Sequence, residues 1–130
     1  MRRLIPNAAE AGFEALREWG HYPINHLIVV RDELLESHRE LAAEVFNAFA
    51  ESKRDYVRRL QDGQLQNPTS LDIMHRRVME ITGRDPLPYG IAPNRRTLEE
   101  IIQYAREQRI IDRSVTVEEL FPPSTHVLVG

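Results

Sequence analysis

The chain contains no cysteine among its 130 residues. Disulfides, thiolate nucleophiles and cysteine-based zinc sites are therefore excluded. No apolar run approaches the roughly 20 residues that span a bilayer. The longest, residues 27–30, is the size of a strand. Charge of one sign is also scarce: the net charge is −3 and the pI about 6.0. That balance argues against nucleic-acid binding, which calls for a basic face. Arginine pairs do occur (Arg2-Arg3, Arg58-Arg59, Arg76-Arg77 and Arg95-Arg96), but acidic residues surround most of them. They read as solvated helix surface. Residues 1–7 lead into no apolar stretch of the kind a secretory signal needs. A cytoplasmic location without a membrane partner is the expectation.

What is present is ordinary for a globular chain, with 42% hydrophobic and 28% charged residues. Such a length can bury roughly two thirds of its unfolded surface. Residues 7–19 predict a helix capped by Asn7, with Phe13, Leu16 and Trp19 on one stripe and Gly20 as its stop. Residues 24–30 are β-branched and follow Pro23, which predicts the one clear strand. Alternation would place Ile24, His26, Ile28 and Val30 on one face, and Asn25, Leu27 and Val29 on the other.

Residues 31–36 predict a short helical turn. Ser37 and Glu40 have the spacing of a capping box for the next helix. Its stripe is Leu41, Val45, Phe49, Tyr56 and Leu60, widened by Phe46 and Val57, and it ends at Gly63. A third helix is expected over residues 71–82. Residues 84–94 hold three prolines and a glycine, which predicts a rigid irregular loop. Asn94 would cap a helix with Leu98, Ile101, Ile102 and Ala105 inside. Thr116 and Glu119 form a second capping-box pattern before Leu120, and the tail from His126 onward is short and apolar. A lone strand cannot satisfy its backbone groups. The tail, another copy of the chain or a further polypeptide must pair with it.

Two segments carry a resemblance. One is Tyr22-Pro23-Ile24-Asn25-His26, continuing to Arg31. The other is Asp85-Pro86-Leu87-Pro88-Tyr89-Gly90-Ile91-Ala92-Pro93-Asn94-Arg95-Arg96, continuing through Tyr104 and Gln108 to Phe121. Over residues 4–121 the chain resembles the C-terminal region of 4,5-dihydroxyphthalate decarboxylases, which are much longer. The resemblance implies an α/β, type 2 periplasmic-binding-protein-like fold of two lobes that close on a ligand, mostly helical in this portion with one clear strand. Residues 1–21 would be the tail of the second lobe, 22–31 a hinge strand and 32–130 the helical part of the first lobe. The implied activity is decarboxylation of 4,5-dihydroxyphthalate or a related aromatic carboxylic acid. The alternatives are a non-catalytic solute-binding module for an anionic small molecule, or a truncated self-associating helical domain.

Such a decarboxylation needs a cationic or N–H-rich clamp for carboxylates. It also needs a general acid for the ring carbon and support for the phenolic oxygens. His26 is the first candidate acid, its imidazole placed among apolar residues and suited to proton transfer. A buried structural histidine is the alternative reading. Arg31, Tyr89, Asn94 and Arg95 are the candidate substrate contacts. Asn94 could equally be a helix cap, and Arg31 could equally pair with Asp32 or Glu33. His21, Tyr22 and Asn25 more readily line a loop or bond the backbone. His38, His75 and His126 read as surface residues. No organic-cofactor motif and no metal-ligand pattern stands out, and a role for a divalent metal stays open. The expected partners are a small aromatic carboxylate and either further copies of this chain or a chain supplying the missing lobe.

Overall fold

Helix starts and stops follow the punctuation of the sequence. The computed structural model describes residues 4–20, 24 and 26–130. Helix α1 spans Ala8–Trp19 and closes at Gly20, whose left-handed φ of 73° lets its N–H donate to the Leu16 carbonyl. Then follow α2 (Asp32–Ser37), α3 (Leu41–Gln61), α4 (Ser70–Thr82) and α5 (Ile91–Glu107). Two short 3-10 turns, Glu118–Leu120 and Pro123–Thr125, complete the order.

The α/β architecture implied by the resemblance is overturned: the described residues form helices and turns, with no strand among them. Ile24 and residues 26–30 join no ladder. Their expected alternation is absent too, since His26, Leu27, Ile28 and Val29 are all exposed, Val29 to 90%. The physical reason is pairing. β-branched residues favour a strand only beside another strand that accepts and donates their backbone bonds. A helical surround offers none.

The caps sort themselves by competition. Thr69 and Asp72 form a reciprocal capping box at the start of α4. Thr116 does the same with Glu119, its N–H and Oγ1 donating to Oε2 at 2.6 and 2.9 Å. The box expected from Ser37 and Glu40 does not form. Ser37 ends α2, and its hydroxyl donates to the Glu33 carbonyl at 2.7 Å. α5 begins earlier than expected, with Gly90 as its N-cap. Pro93 falls in the first turn, where a missing N–H is harmless. Asn94 is thereby inside the helix and is not its cap.

Packing is arranged around α3, which meets α2, α4 and the Pro123–Thr125 turn, while α1 lies on α4. Leu16, Ala42, Ala50, Val57, Leu60 and Val78 are buried. The buried face of α3 is therefore rotated from the expected stripe: Leu60 and Val57 are inside, but Phe49 is exposed and Lys53 is buried. Trp19 and Ile101 are likewise exposed. A second cluster joins Ile91, Leu98 and Val117, with Ile24, Ile102 and Phe121 against it. Arg96 adds a bond from α5 to the Trp19 carbonyl at 3.2 Å. These contacts seat residues 19 and 24 beside α5.

The tail pairs with the proline-rich loop. Tyr89 N–H donates to the Gly130 carbonyl at 2.8 Å, and Gly130 N–H to the Tyr89 carbonyl at 3.2 Å. Gly90 makes this approach possible: its φ is 106°, and a Cβ there would lie 2.3 Å from the Leu128 oxygen. Gly90→Ala should therefore cost roughly 2–3 kcal/mol, combining backbone strain with displacement of the tail. Gly83→Ala, also at positive φ but with open space around it, should cost about 1 kcal/mol. Urea unfolding measures both, and equal losses would show that the tail does not press on Gly90.

Candidate functional site

Lys53 lies on the buried face of α3, three residues after Ala50 and four before Val57, and is only 5% exposed. A buried ammonium needs compensation. It is ion-paired with the Asp85 carboxylate. It also donates to the Leu87 carbonyl at 3.1 Å and sits 4.8 Å from the centre of the Tyr89 ring. Asp85 in turn accepts from the Leu87 N–H at 2.8 Å. Phe46 meets the Tyr89 ring edge-on at 6.5 Å. One lysine thus holds the 85–89 segment against α3.

One turn along α3, Tyr56 reaches α4. Its hydroxyl donates to Asp72 Oδ1 at 2.7 Å and lies 2.9 Å from His75 Nδ1. The tyrosine and imidazole rings meet edge-to-face at 5.8 Å. His75 is 5% exposed. Burial, then the Asp72 carboxylate, pushes the Tyr56 phenol up to about 12. The Tyr56 hydroxyl and the hydroxyl and N–H of Thr69 hold Asp72 down at about 2. Burial lowers His75 below 6.5, while the charges of Asp72 and Asp85 oppose the shift. Asp85 therefore faces both Lys53 and His75, and the two clusters adjoin.

The residues expected from sequence are distributed differently. Tyr89 is half-buried in the pinned loop. Asn94 Nδ2 donates to the Pro88 and Gly90 carbonyls at 2.7 and 2.9 Å, so it braces the same loop. Arg95 is exposed and ion-paired with Glu99 and Glu118. It also lines an open groove of about 970 Å³ between α5 and residues 111–118, whose acidic and basic side chains are mixed. His26 and Arg31 are exposed. Arg31 precedes α2, and its carbonyl accepts from the Leu34 and Leu35 N–H groups. Among the described residues, no hydrogen bond or ion pair joins His26 or Arg31 to Tyr89, Asn94 or Arg95. His21, Tyr22 and Asn25 lie outside the described residues.

Sequence reasoning missed Lys53, Tyr56, Asp72, His75 and Asp85 as a group. A signal existed: Lys53 interrupts an apolar register, and His75 stands three residues before buried Val78. The surface reading of His75 is overturned. His126 is also partly buried, its Nε2 2.9 Å from the Phe121 carbonyl, whereas His38 is exposed. Among the described residues no group of three or more histidine or acidic side chains could hold a metal ion. Nor is any helix among them long and apolar enough to cross a membrane.

A 4,5-dihydroxyphthalate decarboxylase of Comamonas testosteroni is 27% identical to the chain over 118 residues, covering 86% of this chain and 36% of that protein. The chain thus spans about a third of the length of the curated relative it matches. No family model matches the chain, and no solved structure matches it.

Two predictions follow from the site's electrostatics. Asp85→Asn leaves the buried Lys53 charge without its counter-ion. It should cost toward the lower end of roughly 3–5 kcal/mol, because Asp85 keeps a 32% exposed side chain. Calorimetric unfolding measures this, and a loss under about 1 kcal/mol would sink the idea of a pinned loop. Stability should also depend on pH at both ends. His75 is depressed, so unfolded chains bind its proton first and stability drops as pH falls below 6.5. Asp72 adds a further loss between 3.8 and about 2. Tyr56 is raised, so its contribution is full below 10 and is lost as pH rises toward about 12. Denaturant midpoints across pH should show both limbs, and Tyr56→Phe should remove the alkaline one.

Proposed function

We propose that the chain is a portion of a carboxy-lyase acting on 4,5-dihydroxyphthalate or a related aromatic carboxylic acid. The observation that supports this most is the similarity to a decarboxylase over 86% of the chain. The reading gives each expected residue a role that its surroundings permit. His26 and Arg31 are exposed and open to a ligand, Arg31 to clamp a carboxylate and His26 to protonate the ring carbon that loses carbon dioxide. Tyr89 and Asn94 act by holding the 85–94 segment in one shape, and Arg95 borders the groove beside α5. The cleft is completed by further polypeptide, either more of a longer protein or another copy of the chain.

The test is an absorbance assay with 4,5-dihydroxyphthalate, with and without added divalent metal, on the native chain and on His26→Ala. The chain alone should convert little; conversion is expected where a second copy or further polypeptide completes the cleft, and His26→Ala should lower it at least 100-fold. Substrate binding without conversion would replace the lyase reading with a solute-binding one.

A further inference from the structure

Helix α5 ends in a cap that favours glycine, yet an arginine occupies it. Arg109 has a left-handed φ of 56°. Its N–H donates to the Arg106 carbonyl at 2.9 Å, and the Ile110 N–H donates to the Ala105 carbonyl at 2.8 Å. This is a Schellman close, in which a Cβ at the left-handed position is strained. The Gln108 N–H meets the Tyr104 carbonyl at 2.9 Å. Backbone N–H groups therefore satisfy the last carbonyls, and no guanidinium is needed to bond them. A strained residue kept without a structural need points to use of its side chain.

Arg106 and Arg109 both line the groove between α5 and residues 109–118. Neither guanidinium has a hydrogen bond or ion pair among the described residues. The groove's third cation, Arg95, is taken up by Glu99 and Glu118. That pairing lies eleven residues back along the helix, roughly 16 Å from Arg106, and ties α5 to the opposite wall. The floor is apolar and fixed. Val117 is buried with Ile91 and Leu98, Ile102 packs against them, and Ile111 and Val115 extend the surface. At about 970 Å³ the groove has room for a one-ring molecule.

We propose that this groove binds a small hydroxylated aromatic carboxylate, with Arg106 and Arg109 holding carboxylate oxygens and Asp112 accepting from a ring hydroxyl. Two unpaired guanidiniums at one end supply forked N–H donors for carboxylates. An aliphatic floor suits a flat, rigid body, which loses little freedom on binding. The acids decide what else the ligand carries. Glu107 accepts from Gln103 at 2.7 Å, while the Asp112 side chain has no partner among the described residues. A bare anion would meet repulsion from Asp112, and a hydroxyl on the ring turns that carboxylate into an acceptor. The ligand belongs to the same class as the substrate proposed above. Its capture here uses neither His26 nor Arg31 and requires no turnover.

Nitrogen–proton correlation spectra of the full chain, titrated with 4,5-dihydroxyphthalate and with phthalate, test this. Amide signals of Ile102, Arg106, Arg109 and Asp112 should shift and saturate, with a Kd of about 0.1–1 mM for the dihydroxy compound. Phthalate should bind about tenfold more weakly, having no hydroxyl for Asp112. Asp112→Ala should bring the two ligands to equal affinity. Arg106→Gln should weaken binding about tenfold. Arg109→Gly should weaken it as much while raising the melting temperature, because glycine relieves the cap. The spectra themselves confirm that each variant is folded. No saturable shift up to about 10 mM overturns the site, and so does unchanged affinity in Arg106→Gln and Arg109→Gly. Equal affinity of the native chain for both ligands overturns the role of Asp112. Binding is read without turnover, so its failure leaves the lyase reading standing, and failure of that reading leaves this site standing.

Discussion

An ammonium group without water is among the costliest things a small protein can bury, and the arrangement of this one depends on how Lys53 is satisfied. Its position on α3 is apolar by register, between Ala50 and Val57. The charge is matched by Asp85, the Leu87 carbonyl and the face of Tyr89. All three partners come from one five-residue stretch. The helix therefore fixes a loop that prolines have already stiffened, and the loop fixes the tail through the Tyr89–Gly130 backbone pair. A hydrophobic residue at position 53 would pack as well, but it would not choose between loop conformations. The ion pair does so because an ammonium needs particular oxygens at particular places.

The α3–α4 contact repeats the theme one turn later. Tyr56, Asp72 and His75 replace what could have been apolar packing with a satisfied polar network. Such networks carry high stakes, because any member left unpaired costs more than the pair gains. Their presence between two helices gathers three ionisable side chains, Tyr56, Asp72 and His75, whose protonation is displaced from ordinary values. Shifted groups gathered in one place are a mark of chemistry as well as of structure. The contrast with residues 26–30 is sharp. Those side chains stand exposed, and apolar surface of that kind is where other polypeptide is accommodated.

How much of this could be read in advance differs from element to element. Gly20 and Gly83 mark helix ends because only a residue without Cβ enters the left-handed region freely, and both ends fall where expected. The Thr116–Glu119 box was legible because its two partners are close in sequence and nothing else claims them. Ser37 shows the limit: the same pattern was present, but the Glu33 carbonyl took its hydroxyl first. Lys53 was hidden because its partner is 32 residues away. His75 was hidden because a histidine among charged neighbours looks solvated until the facing helix is known. Residues 24–30 misled for a related reason. Their composition states a preference for a strand, yet a strand exists only with a neighbour.

The sequence by itself determined the helices and where most of them end, the proline-stiffened 84–94 segment, and the absence of cysteine chemistry. These depend on local sterics and on pairs a few residues apart. The tertiary structure alone decided which face of α3 is buried, that Asn94 braces a loop and does not cap a helix, and that His26 and Arg31 are exposed. It alone joined Lys53 to Asp85 and Tyr56 to Asp72 and His75. Those outcomes turn on which charges and hydroxyls meet across long stretches of chain, and no local pattern encodes the meeting.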